Sequence, residues 1–149
     1  PLGDLTMFDS GEGGENANSS VDPHWNRALI LGVGVSNVTI EGEGIIDGNH
    51  VFDPEGEEKM RGPHAVIFAE SRNLLMSGVT MNCASNYAFM AYKIEDMVFH
   101  ELEFNEGWDG IHIRGGKNIT IRNCGWGYLL AIIHFLNSIY RQFPILTVF

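Results

Sequence analysis

Apolar and polar residues alternate in short segments along most of this chain, and glycine or asparagine interrupts the segments about every eight to ten residues. Alternation with period two is typical of a β-strand, whereas an amphipathic helix repeats its apolar residues every three or four positions. β-branched residues are frequent, and no apolar stripe has the helical period. The pattern therefore predicts a series of short strands separated by turns.

Four of these segments align with one another as an internal repeat. They begin at Ala28, Ala65, Ala88 and Gly110, so that the starts are 37, 23 and 22 residues apart. A fixed period in the range of about 20 to 50 residues is the signature of a repeat architecture. The wider first interval indicates an insertion, which we place at residues 49–62 as a protruding loop.

The repeats share one polar column of residues and several apolar columns. Asn and Asp in one column indicate a turn, because their side chains bond to nearby backbone. The polar column is Asn37, Asn73, Asp96 and Asn118; the apolar columns are Val38, Leu74, Met97 and Ile119; Ile40, Met76, Phe99 and Ile121; Ile45, Met81, Phe104 and Trp126; and Leu29, Val66, Phe89 and Ile111.

One coil of this kind cannot bury its apolar face, but coils stacked about 4.8 Å apart share a core and pair their backbones. A β-sandwich would have similar short strands, but not one register carried through three consecutive periods. The columns therefore predict an all-β fold, a right-handed parallel β-helix of about four coils over residues 25–124.

The two ends of the chain depart from the repeat. Residues 1–24 are rich in Gly, Asn, Ser and acids, which predicts an irregular lead-in. No signal peptide is visible there, so we expect the chain to begin inside a longer protein. Residues 125–149 contain no acid and a single base, Arg141. We interpret them as a divergent apolar tail, either foreign to the fold or a divergent last coil. Polar interruptions argue against a membrane span of about 20 residues.

Charge and cysteine content limit the partners of the chain. Nineteen acids against nine bases give a net charge of −10, which disfavours nucleic acid because its phosphates are negative. A polyanionic sugar would have to be bound by bases that are clustered locally. Cys83 and Cys124 lack the spacing of metal ligands, and they predict no disulfide. We expect no metal site and no cofactor.

Two blocks of sequence carry a resemblance to a known family. NVTIEGEGIIDG at residues 37–48, followed by RGPHAVIF at 61–68, resembles the first coils of glycoside hydrolase family 28, the polygalacturonases and their bacterial relatives. FNEGWDGIHIRGGKNITIRNC at 104–124 resembles the coil in which that family carries an Asn-Thr-Asp-Gly-Ile-Asp motif. The resemblance implies a polysaccharide as substrate, pectin-like or otherwise uronate-containing, and a parent protein that is secreted or periplasmic.

The resemblance assigns a role to one carboxylate. Asp109 matches the first Asp of the motif and is followed by the same Gly-Ile pair. It is therefore implied to be catalytic, as one of the carboxylates that handle the hydrolytic water. Gly107, Trp108 and His112 replace the Asn, the Thr and the second Asp of the motif, which leaves the uronate specificity open. Asp109 could also be a turn residue before Gly110.

Several neighbours of Asp109 are predicted to bind substrate. In the repeat, Tyr87 and His64 precede Asp109 by one and two coils, with Arg27 beyond them. The predicted substrate-binding residues are Trp108, His112, Arg114, Tyr87 and His64. Four of them also have a structural interpretation: a packed turn aromatic for Trp108, a solvated face for His112 and Arg114, and a loop position for His64.

Inverting glycoside hydrolysis needs two carboxyl groups about 6.5 to 9.5 Å apart. The Gly-Asp-Asp, Gly-His-Gly and Arg-Ile-Lys motifs that follow the Asn-Cys in the family are not present in this sequence. We therefore expect the chain as given to be catalytically incomplete. The alternatives are a carbohydrate-binding or adhesin β-helix without catalysis, and a polysaccharide lyase. An open last coil also predicts self-association through the C-terminal end.

Overall fold

The computed structural model describes residues 27–127, 129–135 and 146–148, so the predicted lead-in at 1–24 lies outside the described residues. Ten strands form one sheet in this part of the chain, and Glu57–Lys59 form a short 3-10 helix. The strands are β1 Ala28–Val33, β2 Ser36–Glu41, β3 Ile45–Asp47, β4 His64–Ala69, β5 Arg72–Ser77, β6 Thr80–His100, β7 Glu103–Arg122, β8 Gly125–Trp126, β9 Leu129–Phe135 and β10 Leu146–Val148.

All pairs between these strands are parallel. One face of the coil runs through β1, β4, β6, β7 and β9, and a second runs through β2, β5, β6, β7 and β10. The third face runs through β3, β6, β7 and β8. β6 and β7 each belong to all three faces because each follows the chain around one coil. The predicted all-β parallel β-helix is confirmed.

The polar column forms a ladder at one corner of the coils. Asn37, Asn73, Asp96 and Asn118 have φ angles between 53° and 58°, in the left-handed region that Asn and Asp tolerate. Asn73 Nδ2 donates to Asn37 Oδ1, and Asn118 Nδ2 donates to Asp96 Oδ1 at 2.8 Å. The predicted turn column is therefore confirmed, and its side chains are hydrogen-bonded in two pairs, Asn37 with Asn73 and Asp96 with Asn118.

Two of the predicted apolar columns contain a residue from the wrong position. Ile30, not Leu29, pairs with Val66, and Ile46, not Ile45, pairs with Met81. Leu29 and Ile45 are 38% and 68% exposed. Successive side chains of a strand point to opposite faces, so a slip of one residue moves a side chain out of the core. The other two apolar columns stack as predicted.

Stacked aromatic and aliphatic side chains fill the interior of the coils. Phe89 and Phe99 meet edge to face with ring centroids 4.7 Å apart, and Phe104 stacks on Trp126 at 4.6 Å. Full burial of such a side chain stabilises the fold by roughly 1.5 to 3 kcal/mol. Much of this stabilisation is available only to stacked coils, because a ring such as Phe89 lies between Val66 of the preceding coil and Ile111 of the next.

The inserted segment at residues 49–62 is docked on β6. Val51 N donates to Ser85 Oγ at 2.6 Å, and Gly62 N donates to Ser85 O at 3.0 Å. Val51, Asp53 and Arg61 are buried, whereas most of residues 54–60 are exposed. The segment therefore has an exposed tip and a base that packs against the second described coil.

Part of the apolar tail continues the coil. Asp109 pairs with Ala131 and Ile111 pairs with Ile133, which repeats the offset of 22 residues between Tyr87 and Asp109. β10 pairs with residues 119–121 of β7. That residues 125–149 are foreign to the fold stays a prediction. Within the described residues, no helix is long and apolar enough to cross a membrane.

Candidate functional site

Asp109 lies in β7 where the register between β6 and β7 changes. Ala84 pairs with Gly107, but Tyr87 pairs with Asp109, so the offset falls from 23 to 22 residues between these two pairs. Such irregularities bend a strand and change the direction of its side chains, and they are frequent beside active sites. The side chain of Asp109 is buried at this irregularity, with 8% of its surface exposed.

An arginine from the inserted segment contacts Asp109. Arg61 Nη1 lies 3.3 Å from Asp109 Oδ2, and the Arg61 side chain is 6% exposed. The same guanidinium contacts Glu58 through Nε at 3.2 Å and through Nη2 at 3.3 Å. Arg61 therefore bridges two carboxylates, one buried and one largely exposed. A fork of this kind fixes the geometry of both partners better than a Lys ammonium could.

Trp108 packs against the same guanidinium. Its ring centroid is 4.5 Å from Arg61 Cζ, which is a cation–π distance. Trp108 is partly buried and packed, as the structural interpretation expected, but it lies within β7 and not in a turn. Its contact holds Arg61 from the side while Glu58 and Asp109 hold it by charge.

The second oxygen of Asp109 is an unpaired acceptor within the described part of the chain. Oδ1 is buried and has no hydrogen-bond partner there. A buried acceptor without a partner costs about 1 to 3 kcal/mol, so its presence calls for a functional or structural reason. A water molecule or a sugar hydroxyl that donates to Oδ1 would supply one.

A ladder of rings runs through three coils beside Asp109. The Tyr87 ring stacks on the His64 ring at 5.1 Å, and it lies 4.2 Å from the His112 ring. Both imidazoles are buried. The predicted axial series from Asp109 through Tyr87 to His64 is thus present in the register, but it continues to Ala28 and not to Arg27.

His112 and Arg114 do not form a solvated face. They are 1% and 5% exposed, and Arg114 Nε donates to His112 Nε2 at 3.0 Å. A ring nitrogen that accepts a hydrogen bond carries no proton, so His112 is assigned as neutral in this arrangement. The solvated interpretation of these two residues was wrong because alternation along a strand separates inside from outside but cannot show what covers the outside.

Arg61 and Glu58 are the residues of this cluster that the sequence did not reveal. Both lie in the insertion, where the repeat gives no column and therefore no neighbour. Arg61 and Asp109 are 48 positions apart in the sequence, and only the folding of the chain brings them into contact. The nearest sequence signal is that RGPHAVIF, one of the two blocks of family resemblance, begins at Arg61.

Together, the fold and the site define a parallel β-helix protein with a buried carboxylate–guanidinium pair on its side. A sequence model of the glycosyl hydrolases family 28 matches residues 10–126. This match covers most of the chain, so the chain belongs to that family.

One solved structure gives a second comparison. The chain is similar to the crystal structure of a "putative glycosyl hydrolase" from Parabacteroides merdae ATCC 43184, with a TM-score of 0.62 and 18% sequence identity. The similarity covers 84% of this chain and 62% of that one. At this identity the similarity is evidence for the fold alone. The chain spans under two thirds of the length of that structure. No curated protein sequence matches the chain.

Proposed function

We propose that the chain is a segment of a polysaccharide-degrading hydrolase that acts on pectin-like or other uronate-containing glycans. The observation that carries the proposal is the state of Asp109: it is buried, Arg61 holds one of its oxygens, and the other oxygen has no donor in the described part of the chain. Membership of glycosyl hydrolases family 28 supports the reaction class.

Asp109 is proposed to handle the hydrolytic water. A carboxylate that acts on water must lie within about 2.6 to 3.2 Å of it. Arg61 and the packing of Trp108 restrict the rotation of Asp109, so Oδ1 is kept as the acceptor. Oδ2 is thus held by Arg61 while Oδ1 faces the water. A positioned general base requires this arrangement, because only one of its two oxygens can face the reacting water.

The local concentration of bases supports a uronate as the bound sugar. The chain is strongly acidic, yet the guanidinium groups of Arg61 and Arg114 both lie at the Asp109 and Tyr87 pair, Arg114 through the neutral His112 that contacts Tyr87. Guanidinium groups bind carboxylates through paired, charge-assisted hydrogen bonds. The face of the Trp108 ring opposite Arg61 is proposed as a sugar platform.

We further propose that the chain as given is catalytically incomplete. An inverting hydrolase needs a second carboxyl group at about 6.5 to 9.5 Å, across the glycosidic bond from the first. Glu58 is the carboxylate that Arg61 links to Asp109, but it shares that cation and lies in the exposed tip of the inserted segment. It is therefore assigned a positioning role. For the parent protein we propose a secreted or periplasmic location, as the family suggests.

The test is a reducing-sugar assay on polygalacturonate and a panel of acidic and neutral plant polysaccharides. We expect this chain to bind an acidic glycan without cleaving it, and the longer parent protein to cleave it. Asp109→Asn in the parent should lower the rate by about 10² to 10⁴. Asp96→Asn is the matched control, because Asn already occupies that column in three other coils.

Three outcomes would contradict parts of the proposal. Cleavage by this chain alone that is lost in both Asp109→Asn and Glu58→Gln would identify Glu58 as the second acid and would make the site complete. Unsaturated products would indicate a lyase. Binding by the parent protein without any cleavage would indicate a carbohydrate-binding or adhesin β-helix.

A further inference from the structure

A second cluster of reactive side chains lies at another corner of the coils. His50, Cys83 and Glu106 bring one ligand atom each to within 4.8 Å of one another. His50 belongs to the inserted segment, Cys83 to β6 and Glu106 to β7. The sequence gives no hint of this set, because the three residues are 33 and 23 positions apart and have no metal-ligand spacing.

The separations within the cluster suit a small tetrahedral cation. His50 Nε2 lies 3.5 Å from Glu106 Oε2, and Cys83 Sγ lies 3.9 Å from the same oxygen. Zn²⁺ binds nitrogen and oxygen at about 2.0 to 2.2 Å and sulfur at about 2.3 Å, so tetrahedral donors lie roughly 3.3 to 3.8 Å apart. The exposed side chains of His50 and Glu106 would have to rotate to bring all three donors to that geometry, since the ligand atoms lie within 4.8 Å of one another.

The backbone of all three residues is held in the left-handed region. The φ angles are 45° for His50, 48° for Cys83 and 53° for Glu106. At the ladder corner the same conformation is taken by Asn and Asp, which tolerate it. Cys and Glu have no such preference, so their presence at this corner has a cost. Glu70, Lys93 and Glu101 adopt the same conformation outside this cluster, so the backbone positions the three donors but does not by itself mark the site.

A backbone hydrogen bond fixes the approach of the inserted segment. His50 N donates to Cys83 O at 3.0 Å, which holds the imidazole-bearing residue beside β6. Cys83 and Glu106 are one coil apart in the parallel register, since Asn82 pairs with Asn105 directly before them. The three donors therefore come from three successive layers of the structure.

We propose that His50, Cys83 and Glu106 bind Zn²⁺ and tie the inserted segment to two coils of the β-helix. Imidazole, thiolate and carboxylate are all zinc donors, whereas Ca²⁺ and Mg²⁺ prefer oxygen alone. Three protein donors leave the fourth tetrahedral position to water. The site is separate from the Asp109 cluster and does not depend on the proposed hydrolysis.

Binding is tested by titrating the full chain with zinc chloride and, as a spectroscopic reporter, with Co²⁺. We expect one equivalent to bind, with a thiolate-to-cobalt charge-transfer band. Cys83→Ser and His50→Ala should each lower the affinity by at least about 100-fold, beyond the roughly 10- to 100-fold that loss of an outer-shell partner causes. Cys124→Ser and His100→Gln are matched controls that should bind as the unaltered chain does.

The alkylation of the two thiols in the unaltered chain tests the proposal even if a substituted variant fails to fold. Zinc should protect Cys83, and not Cys124, from alkylation by iodoacetamide in the unaltered chain. Equal protection of both thiols, or equal zinc affinity of the Cys83→Ser variant and the unaltered chain, would show an adventitious ion only and would overturn the proposal.

Discussion

At the scale of single residues, the Arg61 side chain decides how Asp109 can be buried. A lone carboxylate in an apolar setting costs several kcal/mol, and a paired cation offsets part of that cost. Arg61 supplies the cation from a loop, and Glu58 and Trp108 hold the guanidinium in place. The Arg61–Asp109 ion pair is thus needed to keep Asp109 buried in the folded chain, whatever chemistry Asp109 carries out.

Removing one partner of this pair should therefore be costly. We expect Arg61→Met to lower the free energy of unfolding by about 3 to 5 kcal/mol, because it leaves Asp109 buried without its cation. Adding Asp109→Asn should recover part of the loss, which a double-mutant cycle in urea would measure. Lys93→Met is the control: the Lys93–Glu70 pair has a similar distance of 3.4 Å but is half exposed, and its loss should change nothing measurable. Equal effects of the two substitutions would contradict the prediction.

The two thiols are expected to react slowly. Burial raises the pKa of Cys124, and burial followed by the charges of Asp47 and Glu106 raises the pKa of Cys83. The thiolate is the reactive form, so alkylation at pH 8 should be slower in the folded chain than in the same chain in urea.

The pH dependence of stability follows from the same shift. A raised pKa in the folded state favours the thiol form, so its contribution to stability is complete below the ordinary thiol pKa and is lost as the pH rises through the raised value. The urea concentration at the midpoint of unfolding should therefore decrease as the pH is raised above about 9, which urea titrations at several pH values would measure.

For the two thiols, mass spectrometry of alkylated peptides over a pH series would measure the alkylation rates in the folded chain and in urea. Thiols that react as fast in the folded chain as in urea would contradict the prediction.

At the scale of the strands and turns, the columns could be predicted because every coil imposes the same backbone constraint at the same place. Asn37, Asn73, Asp96 and Asn118 repeat the left-handed corner, and the apolar residues after them repeat the inward direction. The prediction slipped by one residue at Leu29 and Ile45, in the first repeat. The insertion separates this repeat from the others. The Asn and Asp column fixes the register of β2, but no such polar column lies in β1 or β3, which contain Leu29 and Ile45.

The ladder corner should tolerate a residue according to its backbone preference. Asn118→Val forces a β-branched residue into the left-handed region and removes the bond to Asp96, so we expect a loss of about 1 to 2 kcal/mol. Asn118→Gly removes the same hydrogen bond without the steric cost and should lose less than about half of that. Urea unfolding of the two variants would separate backbone strain from the side-chain bond. Similar losses in both would show that the hydrogen bond, not the backbone, sets the requirement.

The same constraint explains which part of the candidate site could be predicted. Tyr87 and His64 follow from Asp109 by counting coils, since all three lie in one column. Arg61, Glu58 and His50 lie in the inserted segment, which has no counterpart in the other coils. Their positions depend on the docking of that segment on β6 through Ser85, which composition and spacing do not encode.

At the scale of the whole molecule, a β-helix has open edges at its two ends. The edge of β7 is covered by β8, β9 and β10 in the described part of the chain, and this cover includes the stretch around Asp109. Each strand in the cover is short, with at most seven residues against the 20 of β7. An edge that is only partly covered remains a template for pairing with another chain.

We therefore expect the chain to self-associate through its C-terminal coil, and to do so more strongly when the cover is removed. Ending the chain after Gly127 removes β9 and β10 and exposes the edge of β7 at residues 107–113 and 119–121. Sedimentation velocity at several concentrations should then show larger species at lower concentration than for the full chain. Removal of residues 1–9, which precede the region matched to the family, is the control and should leave the distribution unchanged. The prediction is contradicted if the shortened chain sediments as a monomer at every concentration at which the full chain does. Unpaired strand backbone and apolar surface would then be exposed without causing association, so the edge of β7 would not drive it.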